Sequence, residues 1–173
     1  MRRKLNIDMK IIFFATLIFC SALIAGCGSD DESTIPTPDG TVFFLVSEMA
    51  AEKGDSYILP LTDPAHIATA RAIVADRDSE ELEKLVVAKV VRSNGNEEHL
   101  NKDLLRNVTW SWKISDFEGF YGSTIEILDG GPQDLQNDMD WWIDNTSDDP
   151  DYGVIGFWNY TVVREVTPEE IAR

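Results

Sequence analysis

Two rhythms of apolar residues run through this chain, and they place its elements. In Val108–Ile114, Trp110, Trp112 and Ile114 alternate with Ser111 and Lys113, the period of two of a strand with one buried face. Residues 123–129 (STIEILD) repeat the pattern with Ile125 and Ile127. Residues 41–47 (TVFFLVS) and 55–61 (DSYILPL) are short apolar runs joined by EMAAEKG, so they read as two strands, with Pro60 placing the second at an edge or a strand end. Residues 85–93 (LVVAKVVRS) are apolar on both alternations except Lys89, as in a central strand. Residues 155–166 (IGFWNYTVVREV) read as one long last strand. The helical rhythm appears twice. Thr62 or Asp63 caps a helix over 64–75 with Pro64 in its first turn and Ile67, Ala70 and Val74 on one face. Over 130–144, Pro132 and Asp134 open a second helix whose stripe is Leu135, Met139, Trp142 and Ile143. Residues 78–84 form a charged connector with room for one helical turn. The order is β-β-α-β-β-β-α-β: an α+β domain with a mostly antiparallel sheet of about six strands and two helices.

The start of the chain follows another pattern. Arg2, Arg3, Lys4 and Lys10 stand against one acid, Asp8, and precede an uncharged run from Ile11 to Ala25. That run suits the apolar region of a signal peptide and is short of the ~20 residues of a membrane-spanning helix. It closes in Ile24-Ala25-Gly26-Cys27, which resembles the lipobox of bacterial lipoproteins. The resemblance implies cleavage between Gly26 and Cys27, a diacylglyceryl group on Cys27 Sγ and acylation of the new amine, a palmitate-type anchor. Met9 opens a complete, shorter version of the same signal and is a second candidate start, whereas Arg2-Arg3 lacks the rest of a twin-arginine motif. Cys20 leaves with the signal, so the mature domain carries no disulfide and depends on its core. The division is a signal peptide over 1–26, a lipidated Cys27 and acidic tether over 27–40, one domain over 41–167 and a tail over 168–173. The expected location is the cell envelope. Gly28, rather than an acid, follows the cysteine, which favours an outer membrane, where the cell has one, facing the periplasm or the exterior.

Charge narrows the partners. Removing residues 1–26 takes four of the 15 bases and one of the 31 acids, leaving 11 against 30 and a net charge of −19. A nucleic-acid partner needs a basic face and is not expected. The stretch 138–153 (DMDWWIDNTSDDPDYG), with two tryptophans among six aspartates, contains two candidate features. Trp142 belongs to the helix stripe, while Trp141, about 100° further round, is a candidate exposed aromatic contact. Asp149 and Asp151 beside Gly153 form a candidate weak calcium loop. The spacing from Asp144 puts Asp149 where an EF-hand loop needs glycine, so that motif fails. His66 and His99 stand alone, without metal-ligand spacing. No nucleophilic thiol, G-x-S-x-G, phosphate loop or dinucleotide fingerprint occurs, so no metal, cofactor or catalytic residue is assigned. A pair of carboxylates brought together by folding, as in glycoside hydrolysis, is the one enzymatic alternative left open.

Residues 59–74 (LPLTDPAHIATARAIV), 124–130 (TIEILDG) and 156–166 (GFWNYTVVREV) resemble a family of small secreted domains named for the amino-terminal region of a eukaryotic calmodulin-binding protein. The resemblance extends over roughly Thr41–Val166. It implies an exported α+β domain and supplies no catalytic residue. Calmodulin is not an expected partner, because the acidic chain offers no basic amphipathic helix. Arg71 and Arg164 fall inside the shared elements and are expected to pair with acids that lock the first helix to the last strand. The functional expectation is a membrane-anchored lipoprotein with a non-enzymatic binding or envelope-associated domain. Its partner would be an envelope protein, a glycan or a small ligand; the alternative is an envelope hydrolase with a carboxylate pair.

Overall fold

The computed structural model describes residues 40–49, 54–93, 99–122 and 130–173. The expected strand at 123–129, and Gly26 and Cys27, lie outside the described residues. β1 (Val42–Glu48) pairs antiparallel with β2 (Ser56–Leu61) on one side and β8 (Tyr160–Val166) on the other. β3 (Leu85–Arg92) lies between β6 (Trp112–Tyr121) and β7 (Gly153–Ile155), again antiparallel. β4 (Lys102–Asp103) and β5 (Val108–Thr109) form a separate short hairpin. The class is α+β with antiparallel pairing, and the six other strands divide into two three-stranded sheets. Pro60 is on β2, an edge strand, where its missing N–H costs no ladder bond.

Helix α1 (Pro64–Ala75) occupies the expected span. Asp63 is its cap: the carboxylate accepts from Ala65 N at 2.7 Å and His66 N at 3.3 Å. Its buried residues are Ile67, Ala70 and Ile73, with Val74 only partly covered, so the buried stripe is rotated slightly from the expected one. The connector at 76–84 forms turns and bends without a helical turn.

Three further elements differ from the sequence expectation. The second helix breaks at Asp138 into α2 (Pro132–Asn137) and α3 (Met139–Thr146). Asp138 leaves helical geometry at φ −143 and ψ 59, and its carboxylate accepts from Trp141 N, so it ends one helix and caps the next. Leu135, Met139, Trp142 and Ile143 are all buried despite the break. The long last strand is interrupted at 156–159, where Asn159 takes φ 65; β7 then joins one sheet and β8 the other. The tail at 168–173 carries α4 (Pro168–Ile171), whose Ile171 is fully buried.

The β2-β1-β8 sheet is covered on both faces, which explains the unbroken apolar run of β1. Phe44, Val46, Tyr57, Leu59 and Val162 join the main core with Val86, Val90, Trp112 and Ile155 of the other sheet and the apolar faces of α1, α2 and α3. Phe43, Leu45, Ile58, Val163 and Val166 face the opposite way, onto Ile171 of α4 and the partly buried Leu100, Leu104 and Leu105. A bulge in β8 distributes its residues between these faces. Val46 pairs with Val162 but Leu45 pairs with Arg164, which leaves Val163 as the extra residue. Arg164 and Val166 consequently share the α4 face with Leu45 and Phe43, while Glu165 lies opposite Phe44.

Candidate functional site

The residues singled out by sequence do not converge. Trp141 is 40% exposed on α3 and packs edge-on against buried Trp142, with ring centroids 5.9 Å apart. Asp149 and Asp151 lie in the turn between α3 and β7. Asp149 Oδ1 accepts from Asp151 N at 2.9 Å, and Asp149 N donates to Ser147 Oγ. The neighbouring Tyr152 ring lies under the Lys89 ammonium at 5.0 Å, and Thr146 Oγ1 accepts from Val154 N. Gly153 permits the close return of the chain, since a Cβ there would come within 3.2 Å of the Trp142 backbone. Among the described residues, no group of three or more His, Cys, Asp and Glu is placed to hold a metal ion. His66 stands edge-on to Phe117. His99 is held below the usual imidazole range by burial, with Lys102 adding to the effect. Arg71 reaches from α1 to Glu165 of β8 in a two-bond pair at 3.0 and 3.1 Å, the lock expected between first helix and last strand. Arg164 instead pairs with Glu170 of α4 at 2.8 Å, because the bulge turns it to that face.

Two clefts remain. The first, about 370 Å³, opens where the two sheets end together, between Met49 after β1, Leu82 and Leu85 around the start of β3, Gly122 after β6, and Trp158. Trp158 is 45% exposed while its neighbour Phe157 is fully buried. The left-handed backbone at Asn159 completes a tight turn, closed by Tyr160 N donating to Phe157 O at 3.3 Å, that carries Trp158 at its tip between buried Phe157 and Tyr160. The surroundings are braced. Met49 N donates to Asn159 O at 2.5 Å, Thr161 Oγ1 to Lys84 O at 2.8 Å, Lys84 Nζ to Arg77 O and an Arg77 guanidinium nitrogen to Val163 O. Ser79, Glu80 and Asn159 supply polar edges beside the indole. An apolar floor with a few fixed polar groups is the usual composition of a small-ligand site. Reading 155–166 as one strand conceals Trp158. The one sequence signal of the break is the Trp-Asn step, because asparagine tolerates the left-handed region.

The second cleft, about 330 Å³, lies between the β4–β5 hairpin and α4 and is lined by two carboxylates, Asp103 of β4 and Glu170 of α4. Both are committed to structure. Asp103 is fully buried and accepts from Ser56 Oγ at 2.6 Å, Leu105 N at 3.0 Å, Arg106 N at 3.1 Å and Arg106 Nε at 2.6 Å. Arg106 also meets Asp55 at 2.7 Å and lies over the Trp110 ring, whose Nε1 donates to Ser56 O. Glu170 takes the Thr167 N–H of the α4 capping box, and this bond, with Arg164 behind it, holds its carboxyl below the usual range. A general acid for glycoside hydrolysis needs the opposite shift, so Glu170 does not suit that role, and the Asp103 carboxylate is already filled by four hydrogen bonds.

Residues 41–169 match the family model of the BP-74 N-terminal domain. No curated protein and no solved structure matches the chain.

Proposed function

The chain belongs to the BP-74 N-terminal domain family, and from that premise we propose that it is a lipid-anchored envelope protein whose domain binds a ligand without transforming it. Anchoring is supported by the ordered signal from Arg2 to Ala25, the lipobox ending at Cys27 and the acidic tether that follows. The family match begins at residue 41, where that tether ends. Two acyl chains hold a protein stably where one is marginal, since each buried methylene contributes about 0.8 kcal/mol. Replacing Cys27 with Ala is expected to abolish incorporation of a palmitate analogue and release the protein from membranes. Equal labelling of the two proteins would sink the anchor.

The binding role rests on one observation: the half-exposed Trp158 ring borders a braced cleft that also carries Ser79, Glu80 and Asn159. An amphipathic aromatic face next to hydrogen-bonding groups complements a ligand with one apolar face and a hydroxylated edge. A glycan of the envelope has that form. The full-length protein in nonionic detergent is expected to be retarded on immobilised envelope glycan. Trp158→Ala removes the retardation, and Trp141→Ala, in an exposed position away from the cleft, leaves it intact. Identical migration of wild type and Trp158→Ala would contradict this reading.

A further inference from the structure

We infer that the cleft between the β4–β5 hairpin and α4 is a binding site for a small oxyanion, a phosphate ester or a carboxylate, distinct from the Trp158 cleft. The inference starts from the use of cations in an acidic protein. Among the described residues, Arg71, Lys89, Arg92, Arg106 and Arg164 are paired with acids, and Arg77 and Lys84 donate to backbone carbonyls. Lys113 is also engaged. Among these described bases only Lys102 and Arg173 make no hydrogen bond or ion pair, and both line this one cleft, together with Arg164. With 31 acids to 15 bases in the chain, two such cations in one place are not what indiscriminate pairing gives.

The acids of the cleft do not cancel them. Asp103 is fully buried and takes four hydrogen bonds from Ser56 and the hairpin. Glu170 is turned back to Thr167 N and to one nitrogen of Arg164. Arg173 acts on Glu169 and Glu170 only through its field. The side chains lining the cleft therefore count three cations, of which Arg164 is paired with Glu170, against two carboxylates, and Asn107 and Thr109 add neutral polar groups. Guanidinium and ammonium donors give short, charge-assisted bonds to phosphate and carboxylate oxygens. The volume, about 330 Å³, lies at the small end of ligand pockets. The field of the whole protein repels anions, so an occupant must be held by direct contact rather than by long-range attraction.

The test uses the full-length chain in nonionic detergent. Thermal melts and calorimetric titrations are run with sodium phosphate and sodium acetate against sodium chloride at matched ionic strength. Saturable binding is expected, with a rise of roughly 5 °C at a hundredfold excess over Kd. A response to phosphate alone identifies a phosphate site, and a response to both anions a general oxyanion site. Lys102→Gln and Arg173→Gln should each weaken binding about tenfold or more, the effect of one charge-assisted bond. Lys102→Arg should retain it, and Arg92→Gln, outside the cleft, should change nothing. Trp158→Ala should also leave anion binding intact, so failure of either site is read separately. No saturable binding of either anion to the wild type, or unaltered affinity in both Gln variants, overturns the proposal.

Discussion

Asp103 is the residue on which the hairpin depends. Its carboxylate gathers Ser56 of β2, two backbone N–H groups of the turn and the Arg106 guanidinium, and it is wholly removed from water. Removing one partner of such a set leaves buried donors unmatched, an effect of about 3–5 kcal/mol. Asp103→Ala is expected to lower stability by about 3 kcal/mol, the low end of that range, since Arg106 is one-third exposed and can partly recover water. Urea unfolding measures it, and a loss under about 1 kcal/mol, the net worth of a single ordinary hydrogen bond, would mean that the hairpin is held by its leucines instead. In sequence Asp103 gives no signal, because a lone aspartate among Asn, Glu and Lys carries no period. The importance of Asp103 arises only when Ser56, forty-seven positions earlier, is brought against it.

The legibility of the elements follows the regularity of their surroundings. The span of helix α1 is readable to the residue because Asp63 and Pro64 are local signals that agree, although its buried stripe runs through Ile73 rather than Val74. β3 is readable as a central strand because both faces are apolar. The break of 155–166 is not readable, since Gly156, Phe157 and Asn159 interrupt a run whose composition remains strand-like, and membership of two sheets is a property of the fold. Neither is the Trp158 cleft, which forms where the ends of β1, β3 and β6 meet. α4 escapes for a different reason: at four residues it is too short for a period, although Thr167 and Glu170 form a capping box that is legible in sequence. That box makes a pH prediction. Glu170 is held below its ordinary range in the folded state, first by the Thr167 N–H and then by Arg164. The unfolded chain therefore takes up the proton first as pH falls. The Glu170 contribution is complete above about pH 5 and disappears as pH drops through the depressed folded value. Glu170→Gln should be less stable than wild type at about pH 7, with the gap in Tm closing towards about pH 3. A gap independent of pH would assign the effect to packing.

At the scale of the whole molecule the alkaline limb depends on two phenols. Burial pushes Tyr57 far up, with Tyr160 adding to it. Tyr160 is pushed up by burial and then by Asp55 and Glu48. Here the unfolded chain loses the proton first, near about pH 10, so stability is present below that value and is lost as pH rises. Phenolate absorbance from Tyr57 and Tyr160 should appear together with loss of the circular dichroism of the sheets, not before it. Phenolate from all four tyrosines preceding unfolding would show that these rings reach solvent in the native state. The same aromatic group carries much of the core. Tyr57, Phe157 and Tyr160 lie with Trp112 and Trp142 at centroid separations of 5.6 to 6.4 Å, so loosening one ring disturbs its neighbours across both sheets.

The single unpaired residue of β8 sets the parity of everything after it. Upstream of Val163, even-numbered positions look into the main core; downstream they look out to α4. Were β8 to pair straight through this point with no bulge, Val163 would stand opposite Leu45 and the roles of Arg164 and Glu165 would be exchanged. Arg164 would then be turned towards the main core and Glu165 towards α4, and both the Arg71 clamp and the Arg164–Glu170 pair would be lost. One bulged position thus sets the sidedness of the molecule: which face grips the first helix, and which presents positive charge to the outside.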